Sequence, residues 1–165
     1  EEEIQSLIER IVSRGGMVKN LHGQKNLYYQ VNATYYSALG ESDEKMLLAR
    51  AIQMFMPGKP QIWYLDLFAG KNDHEAVQRA GESGHKEINR TNLSVDQIAE
   101  GLKKDVVQKQ LALIRMRNTH KAFSEGAEVT ISGEESSLEI RWEYDGAYAE
   151  LHVNFEEGTY TIESN

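Results

Sequence analysis

Apolar residues at Ile4, Leu7, Ile8, Ile11 and Val12 recur with a period of 3.6 and stop at Gly15-Gly16, which predicts an amphipathic helix ended by glycine. From 17 to 40 that period disappears. Asn, Gly and Gln accompany a Tyr28-Tyr29 pair there, the composition of a long structured loop with short extended pieces, and loops of that length in compact units are usually functional. A second helix is predicted from Ser42 as N-cap, with Asp43 and Glu44 in its first turn and Met46, Leu47, Ala49, Arg50, Ile52, Gln53 and Met54 along it. Pro57-Gly58-Lys59-Pro60 ends it, because proline removes an amide donor and restricts the residue before it.

The next run, Gln61-Ile62-Trp63-Tyr64-Leu65, is nearly all apolar and lies between that proline turn and a glycine-bearing loop. It predicts a buried strand with Trp63 and Tyr64 in the core. Helix, tight turn and buried strand is the arrangement of a parallel sheet with helices packed outside it. A short helix is predicted over 73–80. A longer one is predicted from Ser94 or Asp96 to about His120, carrying Ile98, Leu102, Val106, Leu111, Leu113, Ile114 and Met116. Past Phe123 the period becomes two: Leu138, Ile140, Trp142 and Tyr144 alternate with charged residues, as do Ala149, Leu151, Val153 and Phe155 with polar ones. Asp145-Gly146 between them predicts an antiparallel hairpin, with 128–131 and 159–162 as neighbouring strands.

Composition narrows the partners. A chain of 165 residues, 40% apolar, is long enough to bury a core and suits a globular protein. Its net charge of −8 comes from 26 acidic and 18 basic residues, with no basic block to follow a phosphate backbone, so nucleic acid is a poor partner. Cysteine is absent and the five histidines are scattered, which argues against a disulfide scaffold or a metal site and suits a reducing cytoplasm. No segment approaches the roughly 20 apolar residues that span a bilayer, and Glu1-Glu2-Glu3 is unlike a secretion signal, so no membrane role is expected.

The segment Leu27-Tyr28-Tyr29-Gln30-Val31-Asn32-Ala33-Thr34-Tyr35-Tyr36-Ser37-Ala38-Leu39-Gly40 closely resembles the sucrose phosphorylase family of glycoside hydrolase family 13, within the alpha-amylase superfamily. So do Leu48-Ala49-Arg50-Ala51-Ile52-Gln53, Pro57-Gly58-Lys59-Pro60-Gln61, Ala69-Gly70-Lys71-Asn72-Asp73 and Glu87-Ile88-Asn89-Arg90, in the family's order. The resemblance implies an α/β fold followed by an all-β part: the last portion of an alpha-amylase-type (β/α)8 barrel, then a small antiparallel β domain. A complete barrel takes about 250 residues, so only part of one is present. On this layout 1-40 is an excursion after barrel strand seven, 41-120 the last barrel segment (helix, strand eight, helix), and 121-165 the C-terminal β domain. The remainder of the barrel is then an expected partner, and apolar faces left uncovered favour self-association.

The resemblance also implies the chemistry, transfer of a glucosyl unit between an alpha-glucoside and inorganic phosphate with retention, and it calls for no cofactor or metal. Retention takes a nucleophilic carboxylate and a proton-donating carboxylic acid. No motif here matches either, so no catalytic residue is assigned in this chain. Arg90 matches the family arginine that hydrogen-bonds the glucosyl unit, a task suited to a planar guanidinium; the alternative is a surface ion pair. Tyr29 and Gln30 match the mobile loop that faces the acceptor; the alternative is an ordinary packed loop. Leu27 stands where an acidic residue is common, and Thr91-Asn92 where His-Tyr is common. Asp66, at the end of the predicted strand eight, either contacts an acceptor hydroxyl or caps a loop. His85, with Lys86, either binds an anionic acceptor group or is solvated. Among fructose, fructose phosphate, glycerol and glycerate as acceptors, Leu27 argues against plain fructose, and His85 with Lys86 favours a phosphorylated or carboxylated acceptor over a neutral one. Two rival readings are a hydrolase of the same superfamily and a non-catalytic folding module.

Overall fold

The computed structural model of the chain describes residues 1–20 and 28–165. In chain order its elements are α1 (Glu2–Ser13), β1 (Met17–Asn20), β2 (Tyr28–Asn32), α2 (Tyr35–Ala38), α3 (Asp43–Phe55), α4 (Tyr64–Leu67), α5 (His74–Ala80), a 3-10 stretch (Gly81–Asn89), α6 (Val95–Gly101), α7 (Asp105–Thr119), a 3-10 turn (Lys121–Phe123), then β3 (Glu128–Glu134), β4 (Ser137–Tyr144), β5 (Ala147–Asn154) and β6 (Thr159–Ser164). These form two compact units, 1–43 with 62–104 and 44–61 with 105–165, each drawing on distant parts of the chain.

In the second unit, the period-two alternation becomes a four-stranded antiparallel meander in the order β3-β4-β5-β6. Ile140 and Trp142 on β4 and Ala149, Leu151 and Val153 on β5 are buried, while Glu139, Arg141, Glu143, Glu150 and His152 take the other face. The turn expected at Asp145-Gly146 forms. Both residues have positive φ, 46° and 76°, the conformation of a two-residue turn whose twist matches the strands, and Tyr144 pairs with Ala147 across it. On the polar face Arg141 is 2.9 Å from Glu150 and 3.2 Å from Glu143.

Against the buried face sit α3 and α7. Phe55 meets Phe123 edge-on at 5.3 Å, Phe123 meets Trp142 at 5.4 Å, and the Trp142 indole N–H donates to the Phe55 carbonyl at 2.6 Å. The Arg117 guanidinium lies 4.2 Å from the Trp142 ring. Arg50, from the block 48–53, is 5% exposed, and its Nε donates to Oε1 of the fully buried Gln110 at 2.9 Å. Arg50 also donates to Gln53 within α3, and its bond to Gln110 ties α3 to α7.

The first unit corrects two expectations. No strand forms over 61–65. Trp63 is extended (φ −70°, ψ 136°), but the described residues offer this run no ladder partner, and the chain winds into α4, closing with Leu67 N–H to the Trp63 carbonyl at 3.1 Å. Trp63 and Tyr64 are not core residues either: they are 49% and 38% exposed. An apolar run without a period says only that its residues are apolar, and Trp and Tyr carry a polar group that seeks a partner.

The long helix expected to reach His120 is broken in two. The buried Gly101 packs so closely that a β-carbon there would lie 2.5 Å from Phe68 Cδ1, and the next amides bond only three residues back, Lys103 to Glu100 and Lys104 to Gly101. Asp105 then starts α7. At the front of α6 the Ser94 and Gln97 side chains form a reciprocal capping box, which selects Ser94 over Asp96 as the start. Elsewhere α1 follows its stripe, and the short helix expected over 73–80 forms as α5, capped by Asp73 accepting from the Ala76 N–H.

Candidate functional site

The blocks that carried the resemblance in the first unit come together as one hydrogen-bonded body. The Thr34 N–H donates to Asn72 Oδ1 at 2.8 Å, and the Asn72 N–H donates to Ser37 Oγ at 3.0 Å. Asn89 Nδ2 donates to the Ala33 carbonyl at 3.3 Å, and the Asp73 N–H donates to the Ile88 carbonyl at 2.8 Å. Thr34 and Ser37 are 1% and 2% exposed. Buried amides and hydroxyls are costly when unpaired, and here the blocks supply several of one another's partners, although Asn32 Nδ2 and Asn72 Nδ2 are buried with no hydrogen-bond partner among the described residues.

Asp66 is 6% exposed, and its Oδ1 accepts from the Tyr35 N–H at 2.8 Å. It therefore anchors the start of α2, a loop-capping arrangement. Asp66→Ala removes a charged acceptor from a partly buried amide, a loss of about 1.5–3 kcal/mol, whereas Asp66→Asn keeps an acceptor oxygen in place. Urea denaturation of the chain should show a clear loss for the first and a smaller one for the second.

Arg90 ends the 3-10 stretch on the surface. Its Nη1 lies 3.7 Å from Glu87 Oε1 with both side chains well exposed, the kind of contact that contributes little and leaves the guanidinium available. It lines a cleft of about 510 Å³ with Asp73, Arg79, Glu87, Thr91 and Asn92, a polar concavity. The Asp73 carboxyl there lies below its ordinary range, first because the Ala76 N–H donates to it and then because the Thr91 hydroxyl does, at 2.9 Å. Thr91, a departure from the family pattern, thus acts as a tie to the cap of α5.

β1 and β2 form an antiparallel ribbon pairing Met17 with Asn32, Val18 with Val31 and Lys19 with Gln30. The register then skips to Asn20 opposite Tyr28, leaving Tyr29 as the extra residue of a bulge. The Gln30 side-chain oxygen is buried with no hydrogen-bond partner among the described residues, and so is His85 Nε2. The 3-10 stretch bearing His85 and Lys86 packs on both strands. Burial pushes the His85 imidazole down, and the positive charges of Lys19 and Lys86 push it further. Lys19 and Lys86 are thus the positive charges that act on this imidazole. Lys19 is not marked by any sequence motif, because it reaches His85 only through the packing of the 3-10 stretch on β1. Leu27 lies outside the described residues.

The stretch carrying His85 thus packs on the ribbon carrying Gln30, Arg90 lines a separate cleft, and Asp66 serves α2. Among the described residues no group of three or more His, Cys, Asp or Glu is placed to hold a metal, and no helix is long and apolar enough to cross a membrane.

No family model matches the chain. Individual relatives do. It is 51% identical over 162 residues to a sucrose 6(F)-phosphate phosphorylase of Ilumatobacter coccineus, covering 96% of this chain and 31% of that protein. It is 34% identical over 160 residues to a glucosylglycerol phosphorylase of Marinobacter adhaerens, covering 93% and 32%. The crystal structure of sucrose 6F-phosphate phosphorylase from Thermoanaerobacter thermosaccharolyticum superposes with a TM-score of 0.92 at 36% identity, over 99% of this chain and 33% of that one. The chain belongs to the sucrose phosphorylase-like family and corresponds to the C-terminal part of such an enzyme. It spans about a third of the length of the relatives it matches.

Proposed function

We propose that the whole protein is a retaining disaccharide phosphorylase of glycoside hydrolase family 13, which moves a glucosyl unit from an alpha-glucoside to phosphate to give glucose 1-phosphate. The observation that carries this reading is the 51% identity to a sucrose 6(F)-phosphate phosphorylase across 96% of the chain. In this reading the chain supplies the end of an alpha-amylase-type barrel and the β domain behind it, while both catalytic carboxyls lie in the missing part. Arg90 binds the glucosyl unit, and Tyr29 and Gln30 face the acceptor. The unpartnered Gln30 oxygen supports that role, since a buried carbonyl without a partner is costly unless a ligand completes it. Residues Leu7, Ile11, Val31 and Tyr35 line an apolar cleft of about 380 Å³ that suits the rest of the barrel or, in the isolated chain, a second copy. The cysteine-free composition fits a cytoplasmic location.

The acceptor is the finer question. The positive charges of Lys19 and Lys86 act on His85, in the stretch that packs on the ribbon carrying Gln30, and the sequence has leucine at 27 where an acidic residue is common in the family; both favour an anionic acceptor over plain fructose. The whole enzyme, run from glucose 1-phosphate with fructose, fructose 6-phosphate, glycerol and glycerate in parallel, should show its highest kcat/KM with a phosphorylated or carboxylated acceptor. Highest efficiency with fructose would make it a sucrose phosphorylase in the strict sense. Release of glucose with no disaccharide formed from any acceptor would favour the hydrolase.

A further inference from the structure

We propose that Trp63 and Tyr64 are positioning residues that hold the backbone on both sides of Arg90, so that its guanidinium meets the glucosyl unit in a fixed geometry; this rests on the reading of Arg90 given above. The Trp63 indole N–H donates to the Asn89 carbonyl at 2.9 Å, and the Tyr64 hydroxyl donates to the Thr91 carbonyl at 2.7 Å. Each side chain thus spends its only strong donor on a carbonyl adjacent to Arg90. Their rings contact each other at 4.9 Å with a 48° tilt, so the two donors form one rigid pair.

Burial alone does not account for this pair. Both rings remain substantially exposed, so they add less to a core than their size allows, yet both polar tips are directed to the same three-residue segment. Other bonds constrain that segment further. Asn89 Nδ2 holds the Ala33 carbonyl, Thr91 Oγ1 holds Asp73, and the Arg90 N–H donates to the Glu87 carbonyl at 3.2 Å. Among the described residues the Arg90 side chain itself meets no strong partner, its nearest carboxylate oxygen being 3.7 Å away. A fixed backbone carrying a loosely held guanidinium is what ligand-directed arginine requires, because the cost of ordering is met before the sugar arrives.

The test is a double-mutant cycle in the whole enzyme. Trp63→Phe and Tyr64→Phe keep the rings and remove the donors, and each is made alone and with Arg90→Ala. Phosphorolysis gives kcat/KM, and urea denaturation is followed in parallel. Each single variant should lose about threefold or more in kcat/KM, the scale of one hydrogen bond, and should have almost no further effect once Arg90 is alanine. A loss of the same factor in both backgrounds, or no loss in the presence of Arg90, overturns the proposal and leaves the pair a structural role. If Arg90→Ala itself leaves activity intact, the sugar-binding reading fails and the proposal fails with it; that result is recognised from the Arg90 variant alone.

Discussion

Incubated with sucrose and inorganic phosphate, the 165-residue chain alone is expected to release no glucose 1-phosphate above buffer. A retaining mechanism takes two carboxyl groups about 5–5.5 Å apart, one ionised as nucleophile and one kept protonated as acid. Three carboxyls, Glu41, Asp73 and Asp145, lie below their ordinary range, the wrong way for the acid. Glu41 is held down first by its hydrogen bond to Lys71, Asp73 by the Ala76 N–H and the Thr91 hydroxyl, and Asp145 by Lys121. The buried Asp66 is occupied by the Tyr35 amide. Turnover that follows the purified chain through successive columns would overturn the assignment of catalysis to the missing part.

The second large effect belongs to Arg90 in the whole enzyme. Every substrate of such an enzyme shares the glucosyl unit, so Arg90→Ala should depress kcat/KM with all of them by a similar factor. A charged hydrogen bond contributes roughly 1.5–3 kcal/mol, and about 1.4 kcal/mol corresponds to tenfold, so a loss of at least tenfold is expected. Stability should hardly change, because the ion pair that Arg90 makes with Glu87 is solvent-exposed and 3.7 Å long. A normal rate in a folded variant would leave Arg90 as the surface partner of Glu87 and nothing more.

What the residues disclosed in advance depended on whether a local rule governed them. β4 and β5 were legible because alternation fixes which face is buried, and Asp145-Gly146 is a turn the backbone can hardly form otherwise. α1 was legible from its stripe, and the short helix expected over 73–80 forms as α5. The conformation of 61–65 was not legible, and the strand expected there does not form, since an apolar run without a period does not tell strand from turn, and Trp63 and Tyr64, whose polar tips find partners, stay exposed. The break after Gly101 was hidden because the apolar period runs straight through it, and the close approach of Phe68 is a tertiary fact.

The site was legible to a different degree. The block around Arg90 was singled out by resemblance, but its supports were not, because Thr34 finds Asn72 38 positions away and Trp63 finds Asn89 26 away. Lys19 comes near His85 only through the packing of the 3-10 stretch on β1. Hydrogen bonds across such separations leave no periodic trace in a sequence.

The central claim, that this is part of a phosphorylase, is tested most directly by the products the whole protein makes from sucrose and from sucrose phosphate. With phosphate present, glucose 1-phosphate should accumulate in step with the released acceptor, and the rate should rise with phosphate concentration. Equal amounts of free glucose and acceptor, formed at a rate indifferent to phosphate, would contradict it.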